Sequence, residues 1–274
     1  MIAVAADTLA DAAVGALIEE VLVTPKPALV DRRGNGAHAD LTLELMIGSA
    51  RVLRPTFVAL ARASDGAAID VRLRATLGAI GRAGEDAMLA ATGGVNAHRG
   101  AIWALGLLLS AAAVRPSRDA RAIARAAGQL AAIDDPTSVR SERNGARARM
   151  AYRVGGAVAQ ARQGFPHVVD VALPALYAAR ARGCDEEQAR IEALLAIMAT
   201  LDDTCVLHRG GLRALHAAQD GAKRVIAEGG ITSERGKAAY EQLDRTLLGF
   251  RASPGGAADL LSATIFLERC ISLA

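Results

Sequence analysis

Apolar residues recur along this chain in steps of three and four, as in the series Leu9, Ala13, Leu17, Val21, and nowhere does a stretch alternate apolar with polar as a strand must. That periodicity dictates helices packed on helices. Composition agrees: hydrophobic residues make up 52% of the chain but aromatics only 3%, so the apolar mass is Ala, Leu, Val and Ile. Small aliphatic side chains let helices pack closely, whereas a β-sandwich would want more aromatic and β-branched residues. With 274 residues the chain can bury a sizeable core. No Pro/Ser-rich linker divides it and no 30–40-residue period repeats, so the expected fold is all-α: one globular domain over residues 1–274 with about ten or more helices.

The punctuation places the helices. The first covers about 7–23 and stops at Pro25. A second covers 41–63, with Pro55 kinking it or starting a new helix because proline cannot donate the bond a helix interior needs. A third covers 69–91, with a break expected near Gly78–Gly84. Residues 101–114 form the longest apolar run, interrupted only by Ser110; that is too short to span a bilayer and reads as a buried helix. Asn96 is the expected N-cap before it, which puts His98 and Arg99 in its first turn. Further helices are expected over 117–133, 140–162, 164–182, 186–201 (capped by Asp185), 212–228 and 233–248. A last one follows Ser253-Pro254, an N-cap with proline at the first helical position.

Several functions are excluded early. Net charge is +3, and no basic run is interleaved with aromatics, so a nucleic-acid partner is not expected. Cys184, Cys205 and Cys270 lie far apart with no Cys-x-x-Cys pair, which argues against a disulfide framework or zinc ribbon and for a reducing compartment. The N-terminal apolar run has no basic lead-in and carries Asp7 and Asp11, unlike a signal peptide. A cytoplasmic protein without a membrane partner is expected. The sequence leaves open whether it is a monomer or a homodimer.

Against this helical background stand four irregular, polar, glycine-bearing segments: 26–40, 85–99, 202–211 and 253–259. Three of the five histidines lie in them, His38, His98 and His208; His167 and His216 are assigned to packing or surface. No nucleophile elbow, His-Glu-x-x-His, Walker loop or dinucleotide fingerprint is present. What the segments offer is oxygen ligands (Asp31, Asp40, Glu85, Asp86, Asp202, Asp203, Asp259), cations (Lys26, Arg99, Arg209) and helix starts rich in glycine. Carboxylates without thiolates suit Mg²⁺ bridged to phosphates, arginines suit phosphate oxygens, an Asp–His pair supplies a base, and a glycine-led helix start receives anions. The combination describes a pocket for a polyphosphate with acid–base groups. It does not name a reaction.

The segments also resemble a known family. Thr24-Pro25-Lys26-Pro27-Ala28-Leu29-Val30-Asp31, followed by Gly36-Ala37-His38-Ala39-Asp40, resembles the first signature of the triphosphoribosyl-dephospho-CoA synthases, with Ala28 where that pattern usually has glycine. Glu85-Asp86-Ala87-Met88 with Thr92-Gly93-Gly94-Val95-Asn96-Ala97-His98-Arg99-Gly100 resembles a second, departing from it at Ala97, Arg99 and Trp103. Asp203-Thr204 with His208-Arg209-Gly210-Gly211 is similar to a third, and Ser253-Pro254-Gly255-Gly256-Ala257-Ala258-Asp259 to a fourth. The matches run in order over about residues 19–267, and residues 30–40 look most like the malonate decarboxylase branch rather than the citrate lyase branch. The resemblance implies an enzyme that joins the triphosphoribosyl group of ATP to the 2′-hydroxyl of 3′-dephospho-CoA and releases adenine. Its product would feed a prosthetic-group transferase and an acyl carrier protein. On that reading Asp31 or Asp203 serves as base or charge stabiliser, with His38 and His98 handling or orienting protons. Asp40, Glu85 and Asp203 are the Mg²⁺ candidates, and Lys26, Arg99, Arg209, Ser253, Gly255 and Gly256 the triphosphate clamp. Two alternatives stand beside it: a Mg²⁺-dependent ribosyl-bond hydrolase of the ADP-ribosylglycohydrolase type, and a non-catalytic nucleotide-binding helical protein.

Overall fold

At the centre lies α5 (Arg99–Val114), in which every residue from Ala104 to Ala113 is buried. A helix apolar on all sides has to be enclosed, and α5 is surrounded by α1 (Ala6–Leu22), α3 (Arg54–Ser64), α4 (Val71–Ala91), α6 (Ala120–Ala132), α8 (Gly156–Arg162) and α13 (Gly255–Leu273). Leu105, Leu108 and Leu109 are fully enclosed, and truncating any one of them to alanine would cost about 2–5 kcal/mol. The remaining elements are α2 (Leu43–Val52), α7 (Asn144–Tyr152), a π-helical turn (His167–Ala172), α9 (Leu173–Ala181), α10 (Glu186–Met198), α11 (Thr204–Ala227) and α12 (Glu234–Gly249). This computed structural model describes residues 4–137 and 144–273, and among them there is no strand, only one isolated bridge between Asp31 and Gly34. One continuous hydrophobic cluster runs from Leu9 on α1 to Cys270 on α13. No helix among the described residues is long and apolar enough to cross a membrane.

Several helix starts follow the local signals. Pro55 opens a new helix, α3, rather than kinking the one before it. Asp185 makes a capping box with Gln188 at the head of α10, and Ser233 caps α12 by accepting from Gly236 N.

Five expectations need correction. α4 runs unbroken through Gly78–Gly84, because its glycines serve close approach instead of a break: a Cβ on Gly78 would lie 2.0 Å from Asp135 Oδ2, and one on Gly84 2.5 Å from Thr56 Cγ2. The helix expected over 140–162 begins outside the described residues and is otherwise two helices, α7 and α8, parted where Arg153 (φ 56°) and Gly156 (φ 57°) enter the left-handed region. The segment 202–211 is not irregular: α11 starts at Thr204 and kinks only at Gly211 (φ 66°, ψ −165°). At α5 the capping position belongs to His98, and the Asn96 side chain reaches forward to accept from Arg99 N at 3.1 Å. At α13 the helix begins at Gly255, after the Ser253-Pro254 pair, and its amides are capped from elsewhere in the chain.

Candidate active site

That distant cap is Asp203. Its Oδ1 accepts from Cys205 N at 2.8 Å and Val206 N at 3.4 Å, which starts its own helix α11. Its Oδ2 accepts from Ala257 N at 2.9 Å, which starts α13. A Cβ on Gly256 would come within 2.9 Å of the carboxylate, so the approach needs glycine there. Asp259, one turn into α13, repeats the device towards α5: the Ala101 amide bonds to it, and a Cβ on Gly100 would lie 1.9 Å from its Oδ2. Two carboxyls thus pin the starts of α5, α11 and α13 together. All three open on one cavity of about 870 Å³, together with residues from α1, α4 and the 24–40 loop. Helix starts carry partial positive charge and outward-pointing amides, so their convergence favours an anion. Burial pushes the Asp203 carboxyl up, against its backbone donors. Asp259 is pushed well above the carboxylate range by burial and by the charges of Glu20 and Asp203.

Beside these starts lie Lys26 and His98, the latter at the capping position of α5. Lys26 is 1% exposed, and its Nζ donates to the Glu20 carbonyl at 2.8 Å and Glu20 Oε1 at 2.5 Å. Burial raises the Glu20 carboxyl, with the Lys26 charge opposing. His98 is 3% exposed and lines the cavity. Its Nδ1 lies 2.9 Å from Ser49 Oγ, while Nε2 has no hydrogen-bond partner among the described residues. Burial, and secondly the charge of Lys26, lower the ring to about 4, so His98 is neutral at pH 7.

The 24–40 loop divides its polar residues between two tasks. Asp31 is buried but does not line the cavity. Its carboxylate accepts from Lys26 N and Arg33 N, both at 2.8 Å, and pairs with the Arg33 guanidinium. Arg33 and the Ala28 amide are tied in turn to Asp244 on α12. The structure places Asp31 off the cavity, where its bonds hold the loop in shape. Ala28 sits at φ 53°, the left-handed region that glycine enters freely. Further along, His38 faces the cavity, and its Nδ1 lies 3.1 Å from Arg209 Nη2. Burial and the Arg209 charge lower His38 to about 4, which leaves a neutral ring accepting from the guanidinium. Arg99, also on the cavity, bonds Glu85 Oε2 at 3.1 Å.

The three metal candidates do not converge. Asp40 points to solvent, 58% exposed, and is not on the cavity; Asp203 is engaged by backbone amides; Glu85 lies beside Arg99. Among the described residues no three His, Cys, Asp or Glu side chains gather closely enough to hold a metal ion. The rest of the predicted clamp is brought together: Lys26, Arg99, Arg209, Ser253, Gly255 and Gly256 all line the one cavity.

A profile of the ATP:dephospho-CoA triphosphoribosyl transferase family matches residues 6–273. The chain belongs to that family. It is 56% identical over 265 residues to the probable 2-(5''-triphosphoribosyl)-3'-dephosphocoenzyme-A synthase of Pseudomonas paraeruginosa, covering 96% of this chain and 90% of the relative. Against the 2-(5''-triphosphoribosyl)-3'-dephosphocoenzyme-A synthase of Klebsiella pneumoniae the identity is 53% over 262 residues, 95% of this chain and 94% of the relative. No solved structure matches.

In this member of the transferase family two cavity groups, Glu20 and Arg74, escaped the sequence reading, and Asp259 was counted among its oxygen ligands but given no role. Glu20 carried a usable signal: it follows Leu17 by three residues, on the stripe that faces the core, where an acid is out of place. Asp259 lay inside a recognised segment, but nothing local marks it as the acid reaching α5. Arg74 offered no signal, since an arginine on an amphipathic helix reads as solvated.

Proposed function

We propose that this chain transfers the triphosphoribosyl group of ATP to the 2′-hydroxyl of 3′-dephospho-CoA, releasing adenine. The observation that carries the proposal is convergence. Four signature segments spread from residue 24 to residue 259 contribute to a single cavity, with three helix starts and the cations Lys26, Arg99 and Arg209 on its wall. In the reaction the bond from ribose C1 to adenine breaks and its electron pair leaves with adenine. The acceptor 2′ oxygen bonds to C1, its proton passes to a base, and adenine gains a proton. The triphosphate stays intact, so the protein has to hold it without activating its phosphorus atoms.

Our reading assigns the triphosphate to the amides at the head of α13 and to Arg99 and Arg209, with His38 orienting Arg209. His98 is assigned as the base. With Nδ1–H donated to Ser49 Oγ, its Nε2 presents a lone pair to the cavity. The negative charge of a bound triphosphate opposes the two causes that keep the imidazole's proton affinity low. Asp203 is a positioning residue that fixes two helix starts, and Lys26 with Glu20 sets the charge beside His98. Mg²⁺ fits as an ion that arrives with the nucleotide, since it needs only one or two protein carboxylates beside phosphate oxygens; of the candidates on the cavity, Glu85 and Asp203, Asp203 already serves backbone amides, which favours Glu85, and the ion would neutralise triphosphate charge. We place the enzyme in the cytoplasm, supplying the prosthetic-group precursor of malonate decarboxylase through a downstream transferase and acyl carrier protein, and we propose that it works as a homodimer.

The test is adenine release from Mg²⁺-ATP with and without 3′-dephospho-CoA, followed by mass spectrometry. Adenine only with the acceptor, and a product retaining three phosphates, is the expected result. Adenine released equally without acceptor would identify a ribosyl hydrolase instead.

A further inference from the structure

The cavity extends well beyond the groups just assigned. One face of α4 lines it from Glu85 back through Arg82, Gly81, Gly78 and Leu77 to Arg74. The eleven steps of helix from Arg74 to Glu85 span about 16 Å. At the Glu85 end lies Arg99, with the helix starts. At the far end the Arg74 guanidinium lies over the Trp103 ring, 5.4 Å from its centroid, and both side chains line the cavity. Asp135, its side chain 3% exposed, is clamped by Arg82 Nη1 at 2.7 Å and lies 3.8 Å from Arg74 Nη1. Two guanidinia against one carboxylate leave this end with a net charge of about +1.

Arg74 itself is 8% exposed, and its Nε–H finds no acceptor among the described residues. A buried guanidinium donor without a partner is rare and costly, and calls for an explanation. Nothing needed for the triphosphate lies here, and a triphosphate held at the helix starts has no reason to stretch the length of α4.

Resting on the transfer reading above, we infer that the Arg74–Trp103–Arg82 end of the cavity seats the diphosphate of the acceptor, 3′-dephospho-CoA. The acceptor differs from ATP in carrying a diphosphate that continues into a long, largely uncharged arm. Leu77 and Leu107 line the cavity at this end and suit such an arm. The Arg74 Nε–H, without an acceptor among the described residues, and the Arg82 guanidinium hydrogens left over from Asp135 and Thr137 supply charge-assisted donors to diphosphate oxygens. Trp103 holds the Arg74 plane in place from one face. Seated here, the acceptor directs its ribose towards the helix-start end, where His98 precedes Arg99. Arg74 is then a specificity residue for one substrate and not for the other.

Steady-state adenine release, with ATP and 3′-dephospho-CoA varied in turn, tests this. Arg74→Ala is expected to raise KM for 3′-dephospho-CoA roughly 10- to 100-fold, while KM for ATP moves less than about twofold. Arg74→Lys, which keeps the charge but not the planar fork, should recover part of that loss. An equal rise in both KM values, a rise for ATP alone, or no change for the acceptor overturns the assignment. Should Arg74→Ala fail to fold, judged by far-UV circular dichroism, Arg82→Lys carries the same test, because it keeps a cation beside the buried Asp135 and loses only the planar fork; at least about a threefold rise confined to the acceptor is expected. If the wild-type enzyme releases no adenine with both substrates present, the transfer reading itself has failed. If it does and the variants show no acceptor-specific change, only the seat is wrong.

Discussion

The 24–40 loop and the meeting point of α5, α11 and α13 each bury an aspartate whose oxygens are taken up by backbone amides, yet the two do different work. Asp31 bonds inside its own loop, to Lys26 N and Arg33 N, and its carboxyl lies away from the cavity. Asp203 bonds locally to the start of α11 and across the molecule to the start of α13, and forms part of the cavity wall. A carboxylate satisfied by local donors shapes one turn. A carboxylate satisfied by donors more than fifty residues away decides where two helix starts stand relative to each other. The sequence contains both as Asp beside a polar, glycine-bearing segment, so only the range of their hydrogen bonds separates scaffold from site.

The contrast can be broken most directly at Asp203. Asp203→Ala leaves at least three buried or partly buried amides without their acceptor, and a loss of about 4 kcal/mol in urea unfolding is expected. A loss no larger than that of Asp31→Ala would erase the distinction. Next in size, His98→Ala should lower kcat/KM about 10³-fold with an unchanged melting temperature within a few degrees. Wild-type turnover by a folded variant would remove His98 from the mechanism.

The third effect is on pH. His98 titrates at about 4 in the folded protein against 6.5 for the ordinary ring. As pH falls through that window the unfolded chain takes up the proton first, so stability is lost between pH 6.5 and 4, by roughly 3 kcal/mol from this residue. The raised carboxyls Glu20, Asp203 and Asp259 act in the opposite direction: the stability they confer is full at low pH and is lost as pH rises. The difference between wild type and His98→Gln, measured by denaturant unfolding at several pH values, isolates the histidine. Its slope should be flatter in the variant.

Two smaller changes sharpen the loop side. Asp31→Asn keeps an acceptor oxygen but loses the Arg33 ion pair, and about 1–2 kcal/mol of stability should go with it, with turnover per folded molecule retained. Ala28→Gly relieves the left-handed residue at φ 53° and should raise stability by less than about 1 kcal/mol, part of the relief being cancelled by the added freedom of the unfolded chain.

Much of the fold was legible because helix signals are local. The spacing of Leu9, Ala13 and Leu17, the Asp185 cap and the Pro55 start all act within a turn or two of themselves. The misreadings share one cause: the deciding partner was distant. Glycines at 78 and 84 read as breaks because Asp135 and Thr56, the groups they admit, are invisible along the sequence. What Asp203 caps was equally invisible along the sequence, because its second helix begins more than fifty residues later. The candidate site was legible as four segments, and its clamp residues do share one cavity. Asp31 and Asp40 lie off that cavity, while Glu20 and Arg74 stayed hidden on helices whose neighbours only the fold supplies.

The tie between Asp203 and α13 also bears on timing. Every other wall of the cavity precedes α13 in the chain, so on the ribosome the amides that meet Asp203 and the acid that meets Gly100 are the last of these parts to emerge. Until they do, the start of α11 has only half its contacts and the cavity lacks a side. The cavity is therefore complete only once α13 is in place, and a chain halted before residue 255 would be helical and sizeable but would lack that wall.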